Sequence, residues 1–188
     1  LTNGTLITED IISSLLEEKR LRRLDYVQVS IDGSCAEIHN LSRPNNSFDR
    51  AIRGLRLLKK AGLPVAVRVT LNRYNIHDIE NITELILEKE KIPGFSISEA
   101  SIAGAGFCNR NEIEISDEDR YSAMKVLLSL SQRYAGRISA FNGPLAIIQR
   151  FKLIENLIDQ GEGGIFGFGN CGSCGMVFSK MAVLHDGI

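Results

Sequence analysis

Two groups of residues have the types and spacing to do chemistry. The first is Cys171-Gly172-Ser173-Cys174, inside the glycine-rich tract GEGGIFGFGNCGSCG at residues 161–175. Two thiols two residues apart can turn onto one metal ion or iron–sulfur cluster. Flanking glycines let the backbone fold tightly round the sulfur atoms and donate to them. A redox dithiol is a rival reading, but that motif opens a helix, and no helix signal follows here. Structural zinc is another. Two cysteines are half a ligand set, so further ligands are expected beyond Ile188. Cys35 and Cys108 are isolated, and a lone cysteine usually behaves as a small buried hydrophobe.

The second group lies in residues 26–44, YVQVSIDGSCAEIHNLSRP. A short β-favouring run ends in Ser30, Asp32 and Gly33, with His39 and Arg43 in the loop that follows. In an α/β protein the C-terminal edge of a strand is where ligands bind. Ser30, Asp32 and Gly33 alone are equally compatible with a plain strand-to-turn junction. The planar fork of Arg43 matches a carboxylate, although a surface arginine would read the same way. His39 is expected to pack rather than ligate, since no partner for a metal site lies near it. Asn3-Gly4 and residues 72–75 end strands at the same edge. Glu99 sits in an apolar strand, and alternation does not decide which face carries it.

The elements that must position these groups follow from periodicity. Thr8 is predicted to cap a helix with Ile11, Ile12, Leu15 and Leu16 on one face. A strand spans 25–31. Ser47 is predicted to cap a helix facing inward through Phe48, Ala51, Ile52, Leu55 and Leu58, and Gly62 closes it. A strand over 63–71 follows, then a helix carrying Ile79, Ile82, Leu85 and Ile86. Pro93-Gly94 precede a strand over 95–102. Residues 109–114 read as a polar link. Ser116 caps a long helix to about Tyr134, residues 138–141 read as a short strand, and a further helix starts at Pro144. Strand and helix thus alternate in steps of roughly 35 residues, the pattern of parallel βα units. These strands alternate apolar with polar residues, whereas strands covered on both faces run continuously apolar. That pattern predicts a polar interior and favours a curved, incompletely closed barrel over a flat sheet.

Composition narrows the class. The chain has 188 residues, 44% hydrophobic and 24% charged, with a formal net charge of −1. That is an ordinary globular balance, without the basic footprint of a nucleic-acid binder. No apolar run is long enough to span a membrane, and no signal peptide opens the chain. A cytoplasmic location with reduced thiols is expected. Leu1 is not an initiator Met, and residues 181–188 read as a strand entering a hairpin without its return. The chain is therefore expected to be an internal piece of a larger protein.

Together, LTNGTLIT, VQVSIDG, HNLSRP and SFDRAIRGLRLLKKAGLPVAVRVTLNRYN resemble the radical S-adenosylmethionine (SAM) superfamily. The terminal CGSCGMVFSKMAVLHDG resembles the start of the SPASM extension, which carries auxiliary iron–sulfur clusters. The resemblance implies part of a (β/α)6 partial TIM barrel, about strands 3–6, over residues 1–110. A helical connection over 111–160 and an auxiliary-cluster segment over 161–188 would follow. It implies SAM and [4Fe–4S] clusters as cofactors. The serine matching Ser30 and the arginine matching Arg43 would hold the amino-acid portion of SAM. Asp32, Asn3 and Gly4 belong to the same candidate site, and the backbone at Ser101 and Ile102 would lie against the adenine. Cys174 has the spacing of an auxiliary-cluster ligand, and Cys171 sits less typically close to it. The CxxxCxxC loop that holds the SAM-cleaving cluster is absent, so this piece alone is expected to be inactive. The implied parent makes a 5′-deoxyadenosyl radical and modifies a peptide or protein, such as a ribosomally made precursor. The modification would be a thioether or carbon–carbon crosslink, or an oxidation. Other relatives build haem-type or quinone cofactors. The implied reductant is a ferredoxin or flavodoxin, and neither nucleic acid nor a membrane is an expected partner. A TIM-barrel aldolase or phosphate-binding enzyme is set aside for want of a catalytic lysine or phosphate loop, and a non-catalytic zinc module remains as an alternative.

Overall fold

Alternating apolar residues build four short strands: β1 (Val27–Ser30), β2 (Val65–Leu71), β3 (Phe95–Glu99) and β4 (Ile138–Ala140). The computed structural model describes residues 1–140 and Ala146. The strands form one parallel sheet in the order β1-β2-β3-β4. A parallel bridge between Thr2 and Val29 adds the Leu1 end on the far side of β1. This is the parallel α/β arrangement expected from the alternation. The predicted strand over 138–141 extends the sheet past β3.

Helices α1 (Glu9–Leu15), α2 (Glu18–Leu21), α3 (Ala36–Ser42), α4 (Ser47–Lys60) and α5 (Ile79–Glu84) come before β3. After β3 come α6 (Ala105–Cys108), α7 (Arg110–Ile113) and α8 (Asp117–Arg133). Thr8 caps α1 by accepting from the Ile11 amide, and Ser116 caps α8 by accepting from the Asp119 amide. Gly62 closes α4 at a φ of 72°, the left-handed conformation that glycine adopts without penalty. Beyond Glu84 the helix widens into a π turn, Leu85–Lys89, in which the Glu90 amide bonds the Leu85 carbonyl.

Several expectations need correction. Ile12 is buried, but Ile11 and Leu16 are 40% and 41% exposed, because a seven-residue helix covers the core with only one narrow stripe. Residues 36–42 are not loop but helix α3, so His39 is helical. Residues 109–114 are not simply a polar link, since α7 occupies most of them. The cap of α4 is not the Ser47 side chain. Pro44 holds Arg43 extended and ends α3, Asn46 turns left-handed at a φ of 61°, and Asn40 reaches across from α3. Its Oδ1 accepts from the Phe48 amide at 3.3 Å and from the Ser47 hydroxyl at 3.2 Å.

The sheet has two unlike faces. Val29, Ile31, Val67, Val69, Leu71 and Ile97 are buried with Ala51, Leu55 and Leu58 of α4, and with Ile79, Ile82, Ile86 and Leu127. The alternate positions are polar and meet across the strands. Gln28 donates to Ser96 Oγ at 3.5 Å, and Arg68 donates to Ser98 Oγ at 2.9 Å. The polar interior predicted from the alternation is present, and in part it satisfies itself.

Backbone packing of α4 is close. A Cβ added at Gly54 would stand 2.2 Å from the Gly4 carbonyl oxygen, and Gly4 itself has a φ of 75° with Val29 and Ala51 against it. Backbone cannot move aside as a flexible side chain can. Gly54→Ala is therefore expected to destabilise the protein by about 1–3 kcal/mol, the usual cost of overpacking. A urea midpoint unchanged from wild type would contradict this.

Candidate functional site

Strand β1 stops one step short of its neighbour, and side chains complete the ladder. The Ile31 amide still bonds the Arg68 carbonyl. At the next position the Thr70 amide donates 2.7 Å to Asp32 Oδ1 instead of to backbone. The Thr70 carbonyl accepts from Asn75 Nδ2 at 2.9 Å, and the same amide group reaches the Asp32 carbonyl at 2.9 Å. Asn75 Oδ1 in turn accepts from the Asn72 amide at 2.8 Å. Ser34 ties the two loops again, donating from its amide and its hydroxyl to Asp78 at 2.7 and 2.8 Å.

The carboxylate of Asp32 is 2% exposed and that of a side chain that must be paired to be buried as an anion. Its Oδ2 accepts from Arg43 Nε at 2.5 Å. Arg43 is 29% exposed and uses only this edge of its fork. Its two terminal nitrogens make no hydrogen bond to a described residue. Arg43 lines a cleft of about 390 Å³ together with Ser42, Pro44, Tyr74, Glu112 and Ile113. The hydroxyl of Ser42 is buried without a partner. Ser30 ends β1 half-buried. Its amide bonds the Thr2 carbonyl at 3.0 Å, while its hydroxyl has no partner among the described residues. The rim thus carries the open side of a guanidinium and the Ser30 hydroxyl, donors of the kind that grip a carboxylate.

His39 supports this rim from below. It is buried in α3, its ring packs edge-on against Phe48 at 5.6 Å, and its Nδ1 accepts from the Asp32 amide at 3.0 Å. An acceptor Nδ1 belongs to a neutral ring protonated on Nε2. Burial lowers its pKa; the Asp32 charge pulls the other way, and Arg43 adds to the lowering. Gly33 makes room for this packing, since a Cβ there would stand 2.4 Å from the His39 amide nitrogen. The folded pKa lies below the unfolded value of about 6.5, so the unfolded chain takes up the proton first. The stability His39 contributes is complete above that value. It falls as pH drops through it and levels off below the folded pKa. Replacing His39 with Asn keeps an acceptor and removes the titration. The stability advantage of wild type over His39→Asn is expected to shrink between pH 7.5 and 5. A constant difference in urea denaturation over that range would contradict it.

The structure brings Ser30, Asp32 and Arg43 to one strand end. Gly4 lies instead against Val29 and α4, where it serves packing. Asn3 is exposed and closes its own turn on Thr5. Ser101 and Ile102 follow β3, two strands away from β1 in the sheet, Ser101 exposed and Ile102 half-buried. Glu99 pairs with Arg120 of α8 at 2.8 Å, which places it on the helix-covered side. Cys171 and Cys174 lie outside the described residues. Among those residues no cluster of three His, Cys, Asp or Glu side chains could hold a metal ion. Likewise, no described helix is long and apolar enough to cross a membrane. Asn75, fully buried, reads in the sequence only as a loop-former at the rim, and Asp78 carries no signal there. Asparagine and aspartate are loop-formers in any case, and nothing local shows that these two reach β1.

A parallel α/β barrel segment with polar side chains gathered at the ends of its strands is the class of protein these features define. Residues 1–86 match the radical SAM superfamily. Fe-coproporphyrin III synthase of Methanosarcina barkeri is 35% identical over 132 residues, 70% of this chain and 32% of that protein. Mycofactocin maturase MftC of Mycobacterium tuberculosis is 36% identical over 87 residues, 45% of this chain and 21% of that protein. The chain therefore spans a third or less of these two curated relatives. The structure of native anSMEcpe with bound AdoMet and Kp18Cys peptide superposes with a TM-score of 0.59 at 19% identity, covering 86% of this chain and 42% of that one. At that identity the likeness shows the fold. The family's cofactors are SAM and a [4Fe–4S] cluster.

Proposed function

We propose that this chain is the cofactor-holding half of a radical SAM barrel. In the whole protein, Ser30 and the open edge of Arg43 would hold the methionyl carboxylate of SAM. The observation that carries this reading is the half-used guanidinium of Arg43. A buried aspartate fixes one edge, the other edge has no partner among the described residues, and Arg43 lines an open cleft. That open edge fits a carboxylate. The backbone at Ser101 and Ile102 would border the adenine. The described residues do not fit the cluster itself, and the sequence contains no CxxxCxxC. The SAM-cleaving cluster would be held by another part of the whole protein, and Cys171 and Cys174 would ligate an auxiliary cluster in a SPASM-type segment. SAM held at a reduced cluster would supply a 5′-deoxyadenosyl radical, the species that takes a hydrogen atom from substrate. This chain's residues orient the cofactor and exclude water.

The substrate we propose is a peptide or protein, modified by crosslinking or oxidation, with a ferredoxin or flavodoxin as reductant. MftC, by name a maturase, and the peptide-bound anSMEcpe structure support this. A second reading, a tetrapyrrole substrate, is favoured by the longer match to Fe-coproporphyrin III synthase. Anaerobic reconstitution of the whole protein with iron and sulfide tests the chemistry, with 5′-deoxyadenosine as the expected product. No charge-transfer absorbance and no SAM cleavage would overturn it. Formation of Fe-coproporphyrin III from a tetrapyrrole precursor by the same preparation would replace the peptide reading with the tetrapyrrole one.

A further inference from the structure

Asp32 stands in the candidate site, yet its polar atoms are already taken. Its amide donates to His39 Nδ1, its carbonyl accepts from Asn75 Nδ2, Oδ1 accepts from the Thr70 amide and Oδ2 from Arg43 Nε. Those four contacts come from three different parts of the chain: α3, the strand β2 with its exit loop, and the segment after α3. At 2% exposure the carboxylate has no surface left for a ligand. A group held at every polar atom cannot turn to meet a cofactor, but it can fix whatever is bonded to it. What is bonded to it is one edge of Arg43. An Nε–carboxylate contact settles the plane of a guanidinium, and so settles where its two terminal nitrogens point.

The geometry points to Asp32 as a positioning residue that aims the open edge of Arg43 at an anionic ligand without touching that ligand. Asn75 is its anchor in the β2 exit loop. A carboxylate that satisfies a ladder amide with one oxygen and aims an arginine with the other couples the register of β1 and β2 to the ligand site. A slip of the exit loop would thus be felt at the guanidinium. This inference rests on the reading of Arg43 as a SAM ligand, and the experiment separates the two.

The whole, cluster-loaded protein is titrated with radiolabelled SAM as wild type, Arg43→Ala, Asp32→Asn and the double variant. Iron content and melting temperature are measured for each. Asp32→Asn is expected to weaken SAM binding roughly tenfold or more, the usual cost of removing an outer-shell orienting partner, with bound iron unchanged. In the Arg43→Ala background the same substitution is expected to have no further effect on SAM affinity, although it still lowers the melting temperature. A merely structural aspartate would weaken both backgrounds alike. Equal effects in the two backgrounds, or wild-type affinity in Asp32→Asn, would overturn the positioning role while leaving Arg43 as a ligand. Wild-type affinity in Arg43→Ala would overturn the SAM reading, and the positioning role with it. If Asp32→Asn does not fold, Asp32→Glu replaces it. Glu keeps the charge and displaces it by one methylene, so it must also weaken SAM binding only while Arg43 is present.

Discussion

Arg43→Ala should cost the whole protein between about 10-fold and 150-fold in SAM affinity. A hydrogen bond to a charged group contributes about 1.5–3 kcal/mol, and each 1.4 kcal/mol is about tenfold in binding. The substitution acts on affinity and on stability separately. The carboxylate of the cofactor loses its paired donors, and Asp32 remains buried without its cation. Arg43→Lys separates them. A lysine restores a positive charge near Asp32 but cannot present a second, parallel edge to a ligand. Its affinity should therefore stay well below wild type while its stability recovers. Equilibrium dialysis with SAM and a thermal melt measure the two effects. Wild-type affinity in Arg43→Ala would remove this side chain from the site.

The largest expected effect on stability is at Asn75. Its amide bonds the Asp32 and Thr70 carbonyls, and its oxygen accepts the Asn72 amide, all in a fully buried position. Thr70 keeps a second donor, the Asn72 side chain at 3.3 Å. The Asn72 amide and the Asp32 carbonyl keep none once Asn75 is truncated. Each buried polar group left without a partner costs about 1–3 kcal/mol, so Asn75→Ala should destabilise by about 3 kcal/mol. Asn75→Asp should not rescue it, because a carboxylate cannot donate to the two carbonyls. Urea denaturation of both variants checks this, and a loss below 1 kcal/mol in Asn75→Ala would mean that other groups fill the gap.

The strands and long helices were legible in the sequence because their signals are local. Alternation marked β2 and β3, Gly62 marked a left-handed cap, and Ser116 followed by three acidic residues marked the start of α8. The inner polar face was legible too, since a strand has only two faces and Gln28, Ser30, Arg68, Ser96 and Ser98 share a parity. What escaped was contact between separate segments. Asn40 caps a helix other than its own, and Asn75 completes the edge of a strand 43 residues earlier. Gly33 reads as a turn residue, yet it has an ordinary backbone and is small because α3 packs onto it. Asp32 reads as a polar group facing a ligand, whereas the fold holds all its polar atoms. Sequence spacing placed Ser30, Asp32 and Arg43 at one rim, but only the hydrogen-bond partners divide the polar atoms already taken from those left open.

The most direct test is a crystal structure of the whole protein, prepared anaerobically with its cluster and SAM. The account predicts the methionyl carboxylate within hydrogen-bond distance of the terminal nitrogens of Arg43 and of the Ser30 hydroxyl, with Asp32 still on Arg43 Nε. A cofactor carboxylate bound elsewhere, with Arg43 turned to solvent or Asp32 in contact with the ligand, would contradict it.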